Sequence, residues 1–315
     1  MNDLVAKTAL RITALRGRFI THERYAPLHD RFRLLIEKRL ADIGAGRTCE
    51  AHGIALSGAS GTGKSAATAQ LLSQIRAYLA GSSLPGATII SLRVPSPTTL
   101  KFVGQTVLRA LGYNLTAERQ AWYIWDLVRH QLRERRVLFL HLDEAQDLSA
   151  RGTRHELDAV TSMLKTLMTD AEWPVGILLS GTEELENILN HDPQLARRMD
   201  TIHFASLSPV MNAPDVKHLI GGYARRANLT LSDEITDITL SERLIHAAAF
   251  QFGLVIEIII AAIEVALLED AIYLERRHFV AAYTLRTSCT APFNPFIVPD
   301  YHQIDARKVF TREVA

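Results

Sequence analysis

The sequence predicts an α/β fold: a five-stranded parallel sheet covered by helices on both faces, followed by a smaller subdomain built of helices alone. Three observations carry this. Between His52 and Leu207, short apolar runs alternate with stretches of helical periodicity, and strands separated by helices pair in parallel. A glycine-rich loop, Gly58–Ser65, joins the first strand of that series to its first helix. From Pro214 to Thr287 only helical patterns recur, which sets a second unit apart.

In chain order, residues 1–50 read as a helical extension. Leu28, Phe32, Leu35, Ile36 and Leu40 repeat there at helical spacing, with Arg and Glu between them. The first strand is His52–Ser57 and its helix Lys64–Leu79. A turn across Gly81–Gly86 leads to the β-branched run Thr88–Val94, which Pro95 and Pro97 stop. Helices follow over Thr99–Leu111 and Trp122–Arg135, then a third strand, Val137–Leu142. Leu157, Val160, Leu164, Leu167 and Met168 mark the next helix. A fourth strand is expected at Val175–Ser180, a short helix near Glu183–Leu189 and a fifth strand at Thr201–Leu207. The helical segments beyond are Asp215–Arg226, Ser241–Phe252, Leu254–Asp270 and Arg277–Leu285. Pro292, Pro295 and Pro299, with little periodicity around them, predict an extended tail. The expected domains are therefore an extension (1–50), an α/β core (51–208), a helical subdomain (209–287) and a tail (288–315).

Composition narrows the function classes. Of 315 residues, 48% are hydrophobic and 22% charged, ordinary values for a globular chain. Lys plus Arg number 35 against 34 Asp plus Glu, which excludes a polycation that coats nucleic acid by bulk charge but leaves a local basic stripe open. Cys49 and Cys289 are too few for a disulfide framework or a zinc module and fit a reducing, cytoplasmic setting. The first 21 residues are interrupted by Asp3, Lys7, Arg11, Arg16 and Arg18, unlike an export signal. The most apolar stretch, Leu254–Leu268, contains Glu257 and Glu264 and is short for a bilayer span, so no membrane association is expected. No histidine pair has metal-ligand spacing, although His141 stands just ahead of two acids.

Gly58-Ala59-Ser60-Gly61-Thr62-Gly63-Lys64-Ser65 matches the phosphate-binding loop pattern at every fixed position and sits between a strand and a helix, where that chemistry needs it. Glycines let backbone N–H groups turn toward a phosphate chain, and the helix N-terminus adds partial positive charge. Lys64 is placed to reach the β and γ phosphates, and Ser65 to offer a hydroxyl to Mg²⁺. The run Val137–Leu142 ends in Asp143 and Glu144, so Asp143 suits the Mg²⁺ shell and Glu144 the activation of water. This spacing, with one further strand between loop and acids and no guanine-specific signature, favours an ATP-hydrolysing enzyme over a small-molecule kinase or GTPase.

The phosphate loop, Leu142-Asp143-Glu144-Ala145-Gln146-Asp147-Leu148, Leu178-Leu179-Ser180-Gly181-Thr182-Glu183-Glu184-Leu185 and Gln194-Leu195-Ala196-Arg197-Arg198-Met199 together resemble the AAA+ ATPases of DNA transposition, the TniB and TnsC type regulators. Arg18-Phe19-Ile20 and Asn294-Pro295-Phe296 extend the resemblance toward both ends. It implies a P-loop ATPase core with a C-terminal helical lid. It implies a sensor hydroxyl at the end of the fourth strand, with Ser180 first and Thr182 second, and an arginine finger acting on the neighbouring subunit's ATP, supplied by Arg197 or Arg198. The lid stretch Phe252-Gly253-Leu254-Val255-Ile256-Glu257 lacks the sensor arginine that many such lids carry, which suits a slow, regulatory ATPase. The resemblance also implies double-stranded DNA as partner, contacted by Lys101, Thr98 and Thr99 with Arg119 more distant, through backbone phosphates. It further implies self-assembly into a ring or filament, a transposase, and a target selector of the TniQ type, with the proline-rich tail as a docking segment. Trp122, Tyr123 and Trp125 fit either base stacking or packing. Two other classes share the motifs. One is the replication initiator or helicase loader, for which the residues after Thr287 are too few to form a winged-helix domain. The other is a secretion or signalling ATPase.

Overall fold

The computed structural model describes residues 2–149 and 152–307 and divides the chain into two compact units. One contains residues 21–59, 64–149 and 152–204; the other contains 2–20, 60–63 and 205–307.

The first unit is built on five parallel strands, β1 (Gly53–Ser57), β2 (Thr88–Arg93), β3 (Val137–Asp143), β4 (Gly176–Gly181) and β5 (Met199–His203), in the order β2-β3-β4-β1-β5. Its helices are α2 (Tyr25–Gly44), α3 (Lys64–Ala80), α4 (Leu100–Ala110), α5 (Ala121–Glu134), α6 (Arg154–Met168), α7 (Leu185–His191) and the single turn α8 (Pro193–Ala196); α1 (Asn2–Arg16) belongs to the other unit. Alternation along β3 separates two faces. Phe139 meets Phe32 of α2 edge-on, with ring centroids 4.8 Å apart. Leu140 and Leu142 join the opposite core, with Val107 of α4, Val128 of α5 and Leu164 of α6. A sheet covered on both sides needs apolar residues in both phases, and β1, β3 and β4 are buried almost throughout. His141 is the polar interruption within β3, 3% exposed.

The second unit contains α1, α9 (Pro209–Arg226), α10 (Asp233–Thr236), α11 (Ile238–Ala247), α12 (Phe252–Leu268) and α13 (Arg276–Thr287). The two-residue strands β6 (Thr230–Leu231) and β7 (Tyr273–Leu274) pair in parallel within it. The mostly apolar α12 forms its centre, against Val216 and Ile220 of α9, Leu244 of α11 and Phe279 of α13. Ile12 and Leu15 of α1 join the same core. The expected 1–50 extension is therefore not one body: α1 packs with the helical unit and α2 with the sheet unit.

Several boundaries differ from the sequence reading, three of them instructively. The fifth strand begins at Met199, because the Gly53 N–H bonds the Arg198 carbonyl at the start of the β1 ladder, and it ends at His203. Helix α9 begins at Pro209 and passes through Pro214. The missing N–H at Pro214 deprives only the carbonyl of Val210, a residue 81% exposed, so water can satisfy it. Ser208 and Asn212 cap the start reciprocally. The α11–α12 break falls at Ala249 and Phe250, both left-handed (φ +48° and +64°), where neither glycine nor proline signals a stop.

The expected extended tail instead folds onto the helical unit as far as the described residues run; 308–315 lie outside them. Asn294 is fully buried, donating to the Val280 carbonyl and Thr284 hydroxyl and accepting from the Phe296 N–H. Phe296 is buried against Phe279 and Tyr283. Arg243 and Arg276 donate to the Pro295, Val298 and Phe296 carbonyls. Local periodicity misses such a segment because side chains distant in sequence satisfy its backbone. Among the described residues no single helix is long and apolar enough to cross a membrane.

Candidate nucleotide-binding site

The loop after β1 turns with Gly61 at φ +83° and Gly63 at φ +93°, conformations that side chains disfavour. Helix α3 starts at Lys64, so its first unpaired N–H groups follow the loop directly. The Lys64 ammonium donates to the Gly58 and Ala59 carbonyls at 2.7 and 2.9 Å. Burial lowers its pKa, and the charges of Glu144, Asp143 and Glu183 act in the opposite sense. Ser65 and Ser60 are exposed, and Thr62 is buried. The Gly253 N–H, in the first turn of α12, donates to the Gly61 carbonyl at 2.7 Å. A Cβ at Gly253 would lie 2.6 Å from that oxygen, so the helix start and the loop meet backbone to backbone.

Asp143 closes β3, and a hydrogen-bonded file runs behind it across three strands. Ser180 donates to Asp143 Oδ1 at 2.5 Å. Ser180 Oγ lies 2.9 Å from His141 Nε2, and His141 Nδ1 lies 2.8 Å from Ser91 Oγ. One hydroxyl carries one proton, so Ser180 gives it to the carboxylate and accepts from His141. His141 Nδ1 then accepts from Ser91. Burial pushes His141 down to about 4, with Asp143 opposing, so the ring is neutral.

Glu144 has φ +54°, uncommon for a residue with a side chain. Its Oε2 accepts from Gln146 Nε2 at 2.8 Å, and its Oε1 is 3.6 Å from an Arg93 guanidinium nitrogen. Ser180, the preferred sensor hydroxyl, is fully buried with its proton committed to Asp143. Thr182 Oγ1, the second choice, is buried without a hydrogen-bond partner.

The two arginines separate clearly. Arg198 is bound within its own chain, to Glu50 at 2.7 and 2.9 Å and to the Gln194 carbonyl at 2.6 Å. Arg197 is exposed and makes no side-chain hydrogen bond or ion pair among the described residues. At the expected DNA-facing residues, Lys101 pairs with Glu118 at 2.6 Å, Thr99 caps α4 through the Phe102 N–H, and the Thr98 hydroxyl donates to the Thr99 carbonyl. Trp125 packs inward, donating to the Leu100 carbonyl, whereas Trp122 is 68% exposed. Sequence reasoning assigned no role to Gln146, Ser91 or His141. The one available signal was a histidine inside an otherwise apolar strand. Among the described residues no three His, Cys, Asp or Glu side chains cluster as a metal site. A hydroxyl and one carboxylate are hard oxygen donors that fit Mg²⁺ when phosphates complete its shell.

Comparison with known proteins places this geometry. A search of curated proteins finds no match. Among solved structures, the fold is similar to the Aeropyrum pernix Orc1 protein in complex with DNA (TM-score 0.62, 16% identity, 85% of this chain and 66% of that one). It is also similar to Cdc6p from Pyrobaculum aerophilum (TM-score 0.60, 14%, 82% and 66%), and to Drosophila ORC bound to DNA (TM-score 0.59, 14%, 87% and 64%). The chain spans just under two thirds of the length of these proteins. At such identities the likeness establishes the fold, that of an AAA+ P-loop ATPase. The family described as "Bacterial TniB protein" matches residues 11–208, through the whole sheet and its loops; the chain belongs to the TniB family of AAA+ ATPases.

Proposed function

We propose that this chain is an ATP-dependent, DNA-binding regulator of DNA transposition. The observation that carries the reading is the phosphate loop preceding α3 in a chain whose β3 ends in Asp143, with Glu144 the next residue, joined to TniB membership. Backbone N–H groups of residues 58–65 and the Lys64 ammonium bind the phosphates of ATP. Lys64 leaves the Gly58 and Ala59 carbonyls when a phosphate offers a stronger partner. Ser65 and Asp143 would hold Mg²⁺, which would neutralise developing phosphate charge when bound. Ser180 and His141 fix Asp143 from behind, so Ser180 acts through the carboxylate, and the unpartnered Thr182 hydroxyl is the better candidate for the γ-phosphate. Glu144 orients and deprotonates water.

Arg197 is the finger this reading selects, because it is unbound in its own subunit while Arg198 is held by Glu50. ATP at the seam then joins subunits into a ring or filament on duplex DNA, and hydrolysis loosens them by removing the group that Arg197 holds. The assembly recruits a transposase and a TniQ-type target selector. The fold's likeness to proteins solved with DNA supports DNA as the polymer. Because Glu118 partly neutralises Lys101, the contact would need Glu118 to turn away.

A filter-binding assay with duplex DNA tests the whole reading. The wild-type chain should be retained with ATP and released without it. Glu144→Gln should bind ATP, hydrolyse it slowly and stay trapped on DNA, and Lys64→Ala should lose nucleotide binding and retention together. ATP-independent retention, or normal hydrolysis by Glu144→Gln, would refute it.

A further inference from the structure

Gln146 lies against the proposed base and has been given no role so far. It is the second residue of a short 3-10 turn, Ala145–Ser149, that follows β3. Both ends of its carboxamide are spoken for. The Thr182 backbone N–H, which can only donate, lies 3.1 Å from Oε1. That contact sets the orientation of the amide, since the oxygen must face the donor. Nε2 is then left facing Glu144 Oε2 at 2.8 Å, a charge-assisted hydrogen bond.

The end of β4 is shaped to admit this side chain. A methyl group at Gly181 would overlap Gln146 Oε1, whereas the nearest backbone atoms, the Ala145 and Gln146 nitrogens, lie at an ordinary contact distance of 3.4 Å. Gly181 has no positive φ, so its lack of a side chain serves space rather than backbone conformation. Glu144 itself stands in the left-handed region, where a residue with a side chain persists only when its surroundings hold it.

We infer that Gln146 is a positioning residue, whose carboxamide holds the Glu144 carboxylate and ties it to the backbone at the end of β4, through the space that Gly181 leaves. The inference rests on the reading of Glu144 as the base. A shift of the β4 end is passed to the carboxylate by one side chain of fixed length, so the sensor strand and the base move together.

The test compares steady-state ATP hydrolysis and equilibrium binding of a fluorescent ATP analogue in the full chain. The variants are Glu144→Gln, Gln146→Ala, Gln146→Glu, Gly181→Ala and the double variant Gln146→Ala/Gly181→Ala. Gln146→Ala should lower kcat on the order of 10- to 100-fold while KM and analogue affinity stay within about twofold of wild type. Gln146→Glu should be no better, because it repels Glu144 and cannot donate. Gly181→Ala should lower kcat alone, yet add little to Gln146→Ala, whose side chain no longer occupies the space. An unchanged or raised kcat in Gln146→Ala, a parallel loss of analogue affinity, or fully additive losses in the double variant would overturn the inference. Should Gly181→Ala fail to fold, seen as a lost thermal transition, the two Gln146 variants decide the matter. If Glu144→Gln turns over at the wild-type rate, the base reading fails; if it is inactive while Gln146→Ala keeps full kcat, only the role of Gln146 fails.

Discussion

At the scale of single residues, the site separates groups that sequence places side by side. Arg197 and Arg198 are adjacent and chemically identical, and motif position treats them alike. The structure commits Arg198 to Glu50 and to the Gln194 carbonyl and leaves Arg197 exposed. Arg197→Ala should therefore lower ATP hydrolysis on the order of 10³-fold with nucleotide affinity retained. Arg198→Ala should chiefly cost stability, and only a little, because its partner Glu50 is open to solvent. Mixing Lys64→Ala with Arg197→Ala subunits checks the assignment: a finger acting in trans restores hydrolysis at seams where one chain supplies ATP and the other Arg197. No recovery on mixing would place the catalytic arginine elsewhere. Ser180 and Thr182 divide in the same way, one hydroxyl spent on Asp143 and the other unpartnered.

At the scale of elements, the notable contact is between the start of α12 and the phosphate loop. Gly253 donates its N–H to the Gly61 carbonyl, and both lie in the same compact unit. The approach is too close for a side chain, since any Cβ would meet a backbone oxygen that cannot swing away. Gly253→Ala should therefore push the Gly61 carbonyl and weaken ATP analogue binding roughly tenfold or more. Its helical content by circular dichroism should stay near wild type, because alanine favours a helix more than glycine does. Undiminished affinity would show that the loop tolerates displacement there. This contact also accounts for a glycine at the first turn of an otherwise apolar helix, a place where propensity alone offers no reason for it. The sheet ladder, by contrast, needs no such help: β-branched and aliphatic runs bounded by glycine and proline specify strands locally.

At the scale of the whole molecule, acid should destabilise the chain in a defined window. Burial, followed by the nearby Arg24 charge, pushes His22 down to about 4 from an ordinary 6.5. Its folded pKa thus lies below the unfolded one, so the unfolded chain binds more protons between those values. The sign follows: the contribution to stability is complete above about pH 6.5 and is lost as the pH falls toward about 4. Urea unfolding midpoints measured at pH 7 and pH 5 should drop for the wild type and drop less for His22→Phe. An equal drop in both would remove His22 as a source of acid sensitivity. The two units also explain why the expected extension and tail dissolve as separate regions. Ile12, Leu15 and Ile20 find their apolar partners in the helical unit, far away in sequence, and Phe296 of the tail finds Phe279 and Tyr283 of the same unit.

The sequence alone determined the parallel α/β core, the phosphate loop, the Asp143–Glu144 pair and the helical character of the region after Pro214, because each depends on local periodicity or on a short fixed spacing. Tertiary structure decided the rest. Which arginine is unbound, which hydroxyl is spent, the file from Ser91 to Asp143, the Gln146 bridge and the folding of the Asn294–Phe296 segment all depend on partners brought together across strands and helices. A hydrogen bond's direction and a glycine's clearance are properties of pairs distant in sequence, so no single stretch of the chain carries them.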